Sequence, residues 1–215
     1  MSDPFELLSL ACRAAGLRCD PNWNAPVTAL FAWLGRFAPR TNLVGDARPQ
    51  SVVDDHLVEA LVAVAAVEAE RQGSPPRVID VGAGAGLEAQ MFALAWPTAR
   101  VVAVEPREKR AAFIELVADA MGHGERIEVV SRTLRAASFG PEFDVATSRA
   151  TFPPPQWLEE ASALLVPGGQ VVLHLGAAQR AGLQLEERGY GPLRLAAVPG
   201  AGGHQVGVAS RAERA

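Results

Sequence analysis

Residues 78–86 read VIDVGAGAG and join a short apolar run to a helical pattern that starts near Leu87. The run carries an acid, Asp80, two positions before the first of three glycines with the spacing G-x-G-x-G. Glycine permits the sharp turn that a strand-to-helix junction needs, and it lets a ligand come close to the main chain. This stretch therefore predicts a nucleotide-type binding loop at the carboxyl edge of a parallel sheet.

The sequence on both sides of this loop alternates short β-branched runs with helical patterns. Strands are expected at residues 77–81, 100–105, 126–130, 143–147, 171–175, 193–198 and 205–209, and helices at 87–95, 109–121 and 157–165. Nearly continuous apolar strands separated by crossover-length helices are typical of a doubly wound parallel sheet. We therefore expect an α/β fold with a mostly parallel, seven-stranded, Rossmann-like sheet. Its last two strands flank the glycine turn at 200–203 and are expected to form a closing hairpin.

The chain before Arg77 has a different pattern, in which apolar residues recur at helical spacing. Helical spacing is seen over residues 5–11 and again over 27–34, and a third helix is expected over residues 51–71. The segment 73–76, which reads GSPP, is typical of a turn. These features predict an N-terminal helical extension over residues 1–74 and a cofactor-binding domain over 75–215, which together form one compact unit.

Composition excludes several classes of protein. The chain has 215 residues, a formal net charge of -4 and 49% hydrophobic residues, which is enough apolar sequence for one globular domain. An estimated pI of 5.6 disfavours broad nonspecific binding of nucleic acid, which needs a basic surface. The two cysteines near the N-terminus suggest neither a disulfide framework nor a zinc site, and the histidines lack the spacing of metal ligands. No apolar stretch is long enough for a membrane span. We expect a cytoplasmic protein with no metal and no membrane partner.

The strand after the glycine loop ends at Glu105, about twenty residues further on, where an acid can accept both ribose hydroxyls of an adenosine. The dinucleotide fingerprint G-x-G-x-x-G would need glycine at Leu87, so the spacing disfavours NAD. No Lys-Ser/Thr pair follows the glycines, so a triphosphate with magnesium lacks its usual ligands. A cofactor without phosphate fits better, and the pattern D-x-G-x-G-x-G with a strand-terminal acid resembles that of class I methyltransferases, which use S-adenosylmethionine (SAM).

Four further segments narrow the resemblance from this class of enzymes to one family within it. Residues 39–44 (PRTNLV), 56–61 (HLVEAL), 106–110 (PREKR) and 143–150 (FDVATSRA) occur in the same order, around the glycine loop, as in the ribosomal RNA small-subunit methyltransferase G family. The chain resembles that family over residues 38–176, and its N-terminal helices match too. The resemblance implies SAM-dependent methylation of guanine N7 in 16S rRNA, with 16S rRNA or the 30S subunit as partner.

The resemblance also implies roles for individual residues. Cofactor contacts are expected at Asp80, Gly82, Ala83, Gly84, Gly86, Glu105, Pro106, Arg132, Thr133, Leu134 and Arg149. Substrate contacts are expected at Asn42, His56, Arg107, Arg110 and Arg149. Because guanine N7 is an unprotonated acceptor, its methylation needs no general base, and Arg149 is the one catalytic candidate. Three simpler interpretations stay open: Arg149 pairs with a carboxylate at the sheet edge, His56 only packs, and Arg107 and Arg110 are solvated charges at the end of a helix.

The chain departs from the family pattern in four places. The family's Phe-Pro-Gly after the glycines is replaced by Leu87, Glu88 and Ala89, and its His-x-x-Asp-Ser ends here in Glu59 and Ala60. Its Arg-x-Glu after the third strand ends here in Leu134, and its Lys-Gly after the fifth strand appears as His174-Leu175-Gly176. These departures leave two alternatives to the rRNA enzyme: a methyltransferase of the same fold that acts on a small metabolite, or a noncatalytic member that no longer binds SAM.

Overall fold

A computed structural model of the chain describes residues 3–41, 43–68, 76–176, 178–179 and 182–213. Seven strands in these ranges form one sheet. They are β1 (Arg77–Val81), β2 (Arg100–Val104), β3 (Ile127–Val130), β4 (Phe143–Thr147), β5 (Leu165–Leu175), β6 (Arg194–Ala197) and β7 (Gln205–Ser210).

The order of strands in the sheet is β3-β2-β1-β4-β5-β7-β6. The first five strands pair in parallel, and β7 pairs antiparallel with both β5 and β6. The expected mostly parallel sheet with a closing hairpin is therefore confirmed. The chain runs outward from β1 to β3 and then returns to β4, so the sheet has a switch point between β1 and β4. Open α/β sheets bind ligands in the crevice at such a point, outside the carboxyl ends of the strands.

Eight α-helices accompany the sheet within the described ranges. They are α1 (Pro4–Ala14), α2 (Asn24–Thr41), α3 (Pro49–Val52), α4 (Val58–Glu68), α5 (Leu87–Ala95), α6 (Glu108–Ala120), α7 (Leu134–Ala137) and α8 (Pro154–Leu164). The three helices expected between strands are confirmed, with ends that shift by three residues or fewer. Strand β5 starts at residue 165 instead of 171, because the turn-like Gly168, at φ +76°, lies inside an irregular pairing with β4.

Alternate residues of β1 face two different layers of the core. Val78 points toward a cluster that contains residues of helices α1 to α6, whereas Ile79 points toward the opposite cluster with Trp157 and Leu158 of α8. Each of these side chains is almost fully buried. Complete burial of one such side chain contributes about 1.5 to 3 kcal/mol, so the sheet is held on both faces.

The N-terminal helices share the core of the sheet. Leu8 of α1, Leu30 of α2 and Leu61 of α4 belong to the same buried cluster as Val78, and α4 contacts both α5 and β7. The expected boundary at residue 74 lies outside the described residues, so the division into an extension and a domain stays a prediction. In the ranges that the structure describes, we find no helix with the length and apolar character needed to cross a membrane.

Helices α3 and α4 are joined by a π-helical turn over Val53–Leu57. The backbone N–H of Val58 bonds to the carbonyl of Val53, five residues back, in place of the usual four. Such turns displace backbone carbonyls from the regular ladder and are frequent at functional sites. Residues 54–56 of this turn line the crevice at the carboxyl edge of the sheet.

Candidate active site

The glycine loop after β1 has a left-handed backbone at Gly82, Gly84 and Gly86, with φ of +75°, +60° and +71°. A Cβ at Gly82 would lie 2.0 Å from the hydroxyl of Thr151, and one at Gly86 would lie 2.7 Å from Ile114. A Cβ at Gly84 would meet no atom nearer than 3.9 Å, and Gly84 lines the crevice. The outer glycines are thus required for packing, whereas Gly84 leaves open space for a ligand against the main chain.

Glu105 follows β2 directly and is only 4% exposed. Its two carboxylate oxygens accept hydrogen bonds from the backbone N–H groups of Gly84 and Arg107, each at 2.9 Å. A carboxylate has about four acceptor positions, so each oxygen retains capacity for a further hydrogen bond. Glu105 is therefore fixed by the loop and able to accept two hydroxyl groups.

Asp80 is the acid of the loop motif, and it is buried at the end of β1. Its carboxylate accepts a hydrogen bond from the backbone of Ala89, but the oxygen Oδ2 has no partner among the described residues. Burial, together with the negative charge of Glu88, raises the pKa of Asp80 to about 8. Because Asp80 also lines the crevice, the unpartnered oxygen is a buried acceptor that a cationic ligand group would satisfy.

Two further acids meet at a histidine behind the loop. His174, at the end of β5, lies with Nε2 3.0 Å from Oε1 of Glu88 and Nδ1 2.9 Å from Oε1 of Glu59. Thr147 at the end of β4 donates to the same Glu88 oxygen at 2.6 Å. Since both ring nitrogens face carboxylates, both must carry a proton, and His174 is an imidazolium.

The titration of this group follows from the geometry. Burial would lower the pKa of His174, but the two carboxylates, Glu88 foremost, raise it to about 10. Burial would raise the pKa of Glu59, but His174 and then Arg149 lower it to about 2, and the pKa of Glu88 is lowered by the same histidine. Near neutral pH, two anions therefore face one buried cation.

Arg149 follows β4 and lies at the rim of the crevice, with 29% of its side chain exposed. It donates to Oε2 of Glu59 at 3.3 Å, to the displaced carbonyl of Asp55 at 3.0 Å, and to Nδ1 of His56 at 2.6 Å. Burial and the charge of Arg149 lower the pKa of His56 to about 4, so this ring is neutral and can accept. The next residue, Ala150, has a left-handed φ of +58°, a strained conformation often found at functional sites.

The crevice is one cavity of about 1220 Å³. Most of the residues expected at the site from the sequence line it: Asp80, Gly82, Ala83, Gly84, Glu105, Pro106, Arg107, Arg110, Arg149 and His56. Gly86, Arg132, Thr133 and Leu134 are not among its lining residues, and Asn42 lies outside the described residues. In the described part of the chain, no group of three His, Cys, Asp or Glu side chains is arranged to hold a metal ion.

Sequence patterns gave no role to Thr147 or His174. Glu59 and Glu88 were noted only as departures from the family pattern, and the structure places both against His174. The Glu59 contact also shows that Arg149 pairs with a carboxylate while still lining the cavity. The available signal was the departures themselves, since three of the four hold ionisable side chains, Glu59, Glu88 and His174, that meet in space.

These groups fit SAM. The unpartnered oxygen of Asp80 suits the ammonium of a methionine moiety, Glu105 suits the ribose hydroxyls, and Gly84 leaves space for close approach to the loop.

Solved structures with the same fold include a tRNA methyltransferase from Aquifex aeolicus, with a TM-score of 0.60 and 15% identity, covering 73% of this chain and 69% of that one. Another is the 1,6-didemethyltoxoflavin-N1-methyltransferase of Burkholderia thailandensis with bound S-adenosylhomocysteine. It has a TM-score of 0.56 and 23% identity, and the match covers 74% of this chain and 80% of that one. Fold and site thus define a class I SAM-dependent methyltransferase.

The sequence comparisons narrow this class to one family. The profile of the family described as rRNA small subunit methyltransferase G matches residues 24–194. The enzyme of that name from Myxococcus xanthus is 31% identical over 80% of this chain and 78% of its own length. The enzyme of the same name from Nitratidesulfovibrio vulgaris is 32% identical over 77% of this chain and 76% of its own length. The chain belongs to the rRNA small subunit methyltransferase G family, which confirms the resemblance, and its cofactor is SAM.

Proposed function

We propose that this protein transfers the methyl group of SAM to N7 of a guanine in 16S rRNA. The observation that carries the proposal is that Arg149 lines the same cavity as Asp80, Gly84 and Glu105. A cavity of about 1220 Å³ exceeds the roughly 300 to 1,000 Å³ usual for one small ligand, so it has space for the cofactor and for part of a second molecule. Since ribosomal subunits are the proposed substrate, we place the reaction in the cytoplasm.

The residues of the cavity divide between the two ligands. Asp80 would hold the cofactor ammonium, and Glu105 would hold the ribose hydroxyls while it keeps the loop closed through Gly84. Arg107 and Arg110 line the cavity beside Glu105 and supply positive charge toward a nucleic acid. Arg149 at the rim would bind an rRNA phosphate or guanine O6. The cofactor assignments of Arg132, Thr133 and Leu134 are retained as predictions on the family resemblance alone.

The chemistry requires alignment more than proton transfer. When bound, SAM supplies a methyl group made electrophilic by its sulfonium. The lone pair of guanine N7 forms the new N–C bond while the electrons of the S–C bond stay on sulfur, and the guanine acquires the positive charge. No proton leaves N7, so the site needs no general base. The carboxylates of Glu59 and Glu88 lie behind the rim and offset the positive charge of Arg149 and of the methylated base.

Methyl transfer to 30S subunits from a strain that lacks this modification tests the proposal. Labelled SAM should label 16S rRNA, and reduction followed by aniline cleavage should map one 7-methylguanine. Arg149→Gln should abolish transfer while calorimetry still detects SAM binding; Arg13→Gln, on an exposed residue of α1, is the matched control and should behave as wild type. Failure of the wild-type protein to bind SAM would favour a noncatalytic member, and transfer to a metabolite but not to rRNA would favour the small-molecule enzyme.

A further inference from the structure

The buried ion cluster connects three elements that are far apart in sequence. We define the bridge as Glu59 of α4, His174 of β5 and Glu88 of α5, whose side chains are each at least 90% buried. The histidine lies 115 positions from Glu59 and 86 from Glu88, with contacts of 2.9 and 3.0 Å. One imidazolium therefore ties the N-terminal helices to the start of the helix that follows the glycine loop.

Glu59 divides its carboxylate between two cations. Its Oε1 accepts from His174, and its Oε2 accepts from Arg149. Without His174, this carboxylate would be free to rotate about its side chain, and the Arg149 contact at 3.3 Å would lose its fixed partner. The other two acceptors of Arg149, on Asp55 and His56, lie on the same helical segment as Glu59. These three polar contacts of Arg149 thus depend on where this segment is held.

We propose that His174 is a positioning residue for methyl transfer: by bridging Glu88 and Glu59 it fixes Glu59, and through Glu59 it fixes Arg149 at the rim of the cavity. The cofactor half of the site, behind the glycine loop, is thereby coupled to the substrate half. The inference rests on the proposed function only in assigning the substrate half to rRNA. A purely structural role, in which His174 does no more than neutralise two buried acids, is the opposing interpretation.

The bridge can be broken and restored at one position. His174→Gln removes the cation and should lower kcat for 30S methylation at least about tenfold, the change that a loss of one charge-assisted contact produces. The dissociation constant for SAM should change less than about threefold, because Asp80 and Glu105 are untouched. His174→Lys restores a cation and should recover most of the loss in kcat. Glu159→Gln is the matched control: Glu159 lies on the far helix α8 and forms an exposed ion pair with Arg188, so its loss should leave kcat unchanged.

The path through Glu59 predicts non-additivity. Glu59→Gln should lower kcat about as much as His174→Gln, and the double variant should be no worse than either single one. Effects that multiply in the double variant would mean that the two residues act independently, and would overturn the proposal. A lower thermal midpoint with unchanged kcat in the folded His174→Gln protein would establish the structural role instead.

A spectroscopic measurement separates this inference from the identity of the substrate. In protein with ¹⁵N-labelled arginine, the Arg149 side-chain signal is identified by its absence in Arg149→Lys. In wild type it should be narrow and shifted from free arginine; in His174→Gln it should move toward the free position, and in Glu159→Gln it should stay in place. An Arg149 signal that does not respond to His174→Gln overturns the positioning role whatever the substrate. A responsive signal in a protein that does not methylate rRNA upholds the positioning role and contradicts the proposed function alone.

Discussion

The affinity for SAM should depend on pH through Asp80. Burial and Glu88 raise the pKa of Asp80 to about 8, so at pH 6 to 7 the cofactor-free protein holds a proton on this carboxyl. The ammonium of SAM can pair only with the ionised form, and binding must therefore release that proton. The other members of the cluster do not titrate in this range, since His174 has a pKa of about 10, Glu59 of about 2 and His56 of about 4.

The size of the effect follows from linkage. Because one proton is released per bound SAM, the dissociation constant should rise about tenfold for each unit by which the pH falls below the pKa of Asp80. The range from pH 6 to 7 lies below the pKa of an α-amino group, about 7.7 to 8.0, so the ligand keeps its charge. Asp80→Asn should bind SAM more weakly at pH 7.5 and show no such slope. Glu115→Gln, an exposed change on α6, should keep the wild-type slope.

Calorimetry at pH 6.0, 6.5 and 7.0, in two buffers of different ionisation enthalpy, measures both the affinity and the number of protons released. A wild-type dissociation constant that is flat over this range, or release of the same proton by Asp80→Asn, would refute proton release from Asp80. Unfolding gives a check without ligand. A folded pKa raised above the ordinary 3.8 means that Asp80 contributes stability below about pH 4 that is lost as the pH rises toward 8. In urea titrations, the free energy of unfolding of Asp80→Asn should therefore rise relative to that of wild type by up to about 1.4 kcal/mol per pH unit between these limits.

Two further predictions concern the backbone and the ribose acid. Gly84→Ala should keep a cooperative thermal transition, because its Cβ projects into the open cavity, but it should weaken SAM binding in calorimetry by about tenfold. Gly86→Ala should be strongly destabilised, because its Cβ would approach Ile114 too closely. Equal thermal stability of the two variants would contradict this difference. Glu105→Gln should raise the dissociation constant for SAM at least about tenfold, since each charge-assisted hydrogen bond is worth about 1.5 to 3 kcal/mol, and an unchanged constant would refute its contact with the ribose.

The features that sequence could predict are those that depend on local pattern. Strand β1, the glycine loop and Glu105 were placed correctly because a continuous apolar run, the glycine spacing and the end of such a run can each be recognised within a few residues. The π-turn at Val53–Leu57 was missed because nothing in its composition separates it from an ordinary helix. The contacts of His174 were missed because its partners lie 86 and 115 positions away, and no periodicity links positions so distant.

The structure changes how the departures from the family pattern are to be interpreted. A single buried glutamate at position 88 would carry an uncompensated charge, which costs several kcal/mol; here His174 and Thr147 compensate it. Glu59 and His174 likewise depend on one another, so three of the departures form a single interaction. Asp80 differs from these compensated residues, because its buried oxygen has no partner among the described residues and so destabilises the fold. An asparagine in its place would destabilise the fold less. A protein that had no cation to bind at this position would gain nothing from such a residue. The unpartnered carboxylate therefore argues for retained SAM binding and against the noncatalytic alternative.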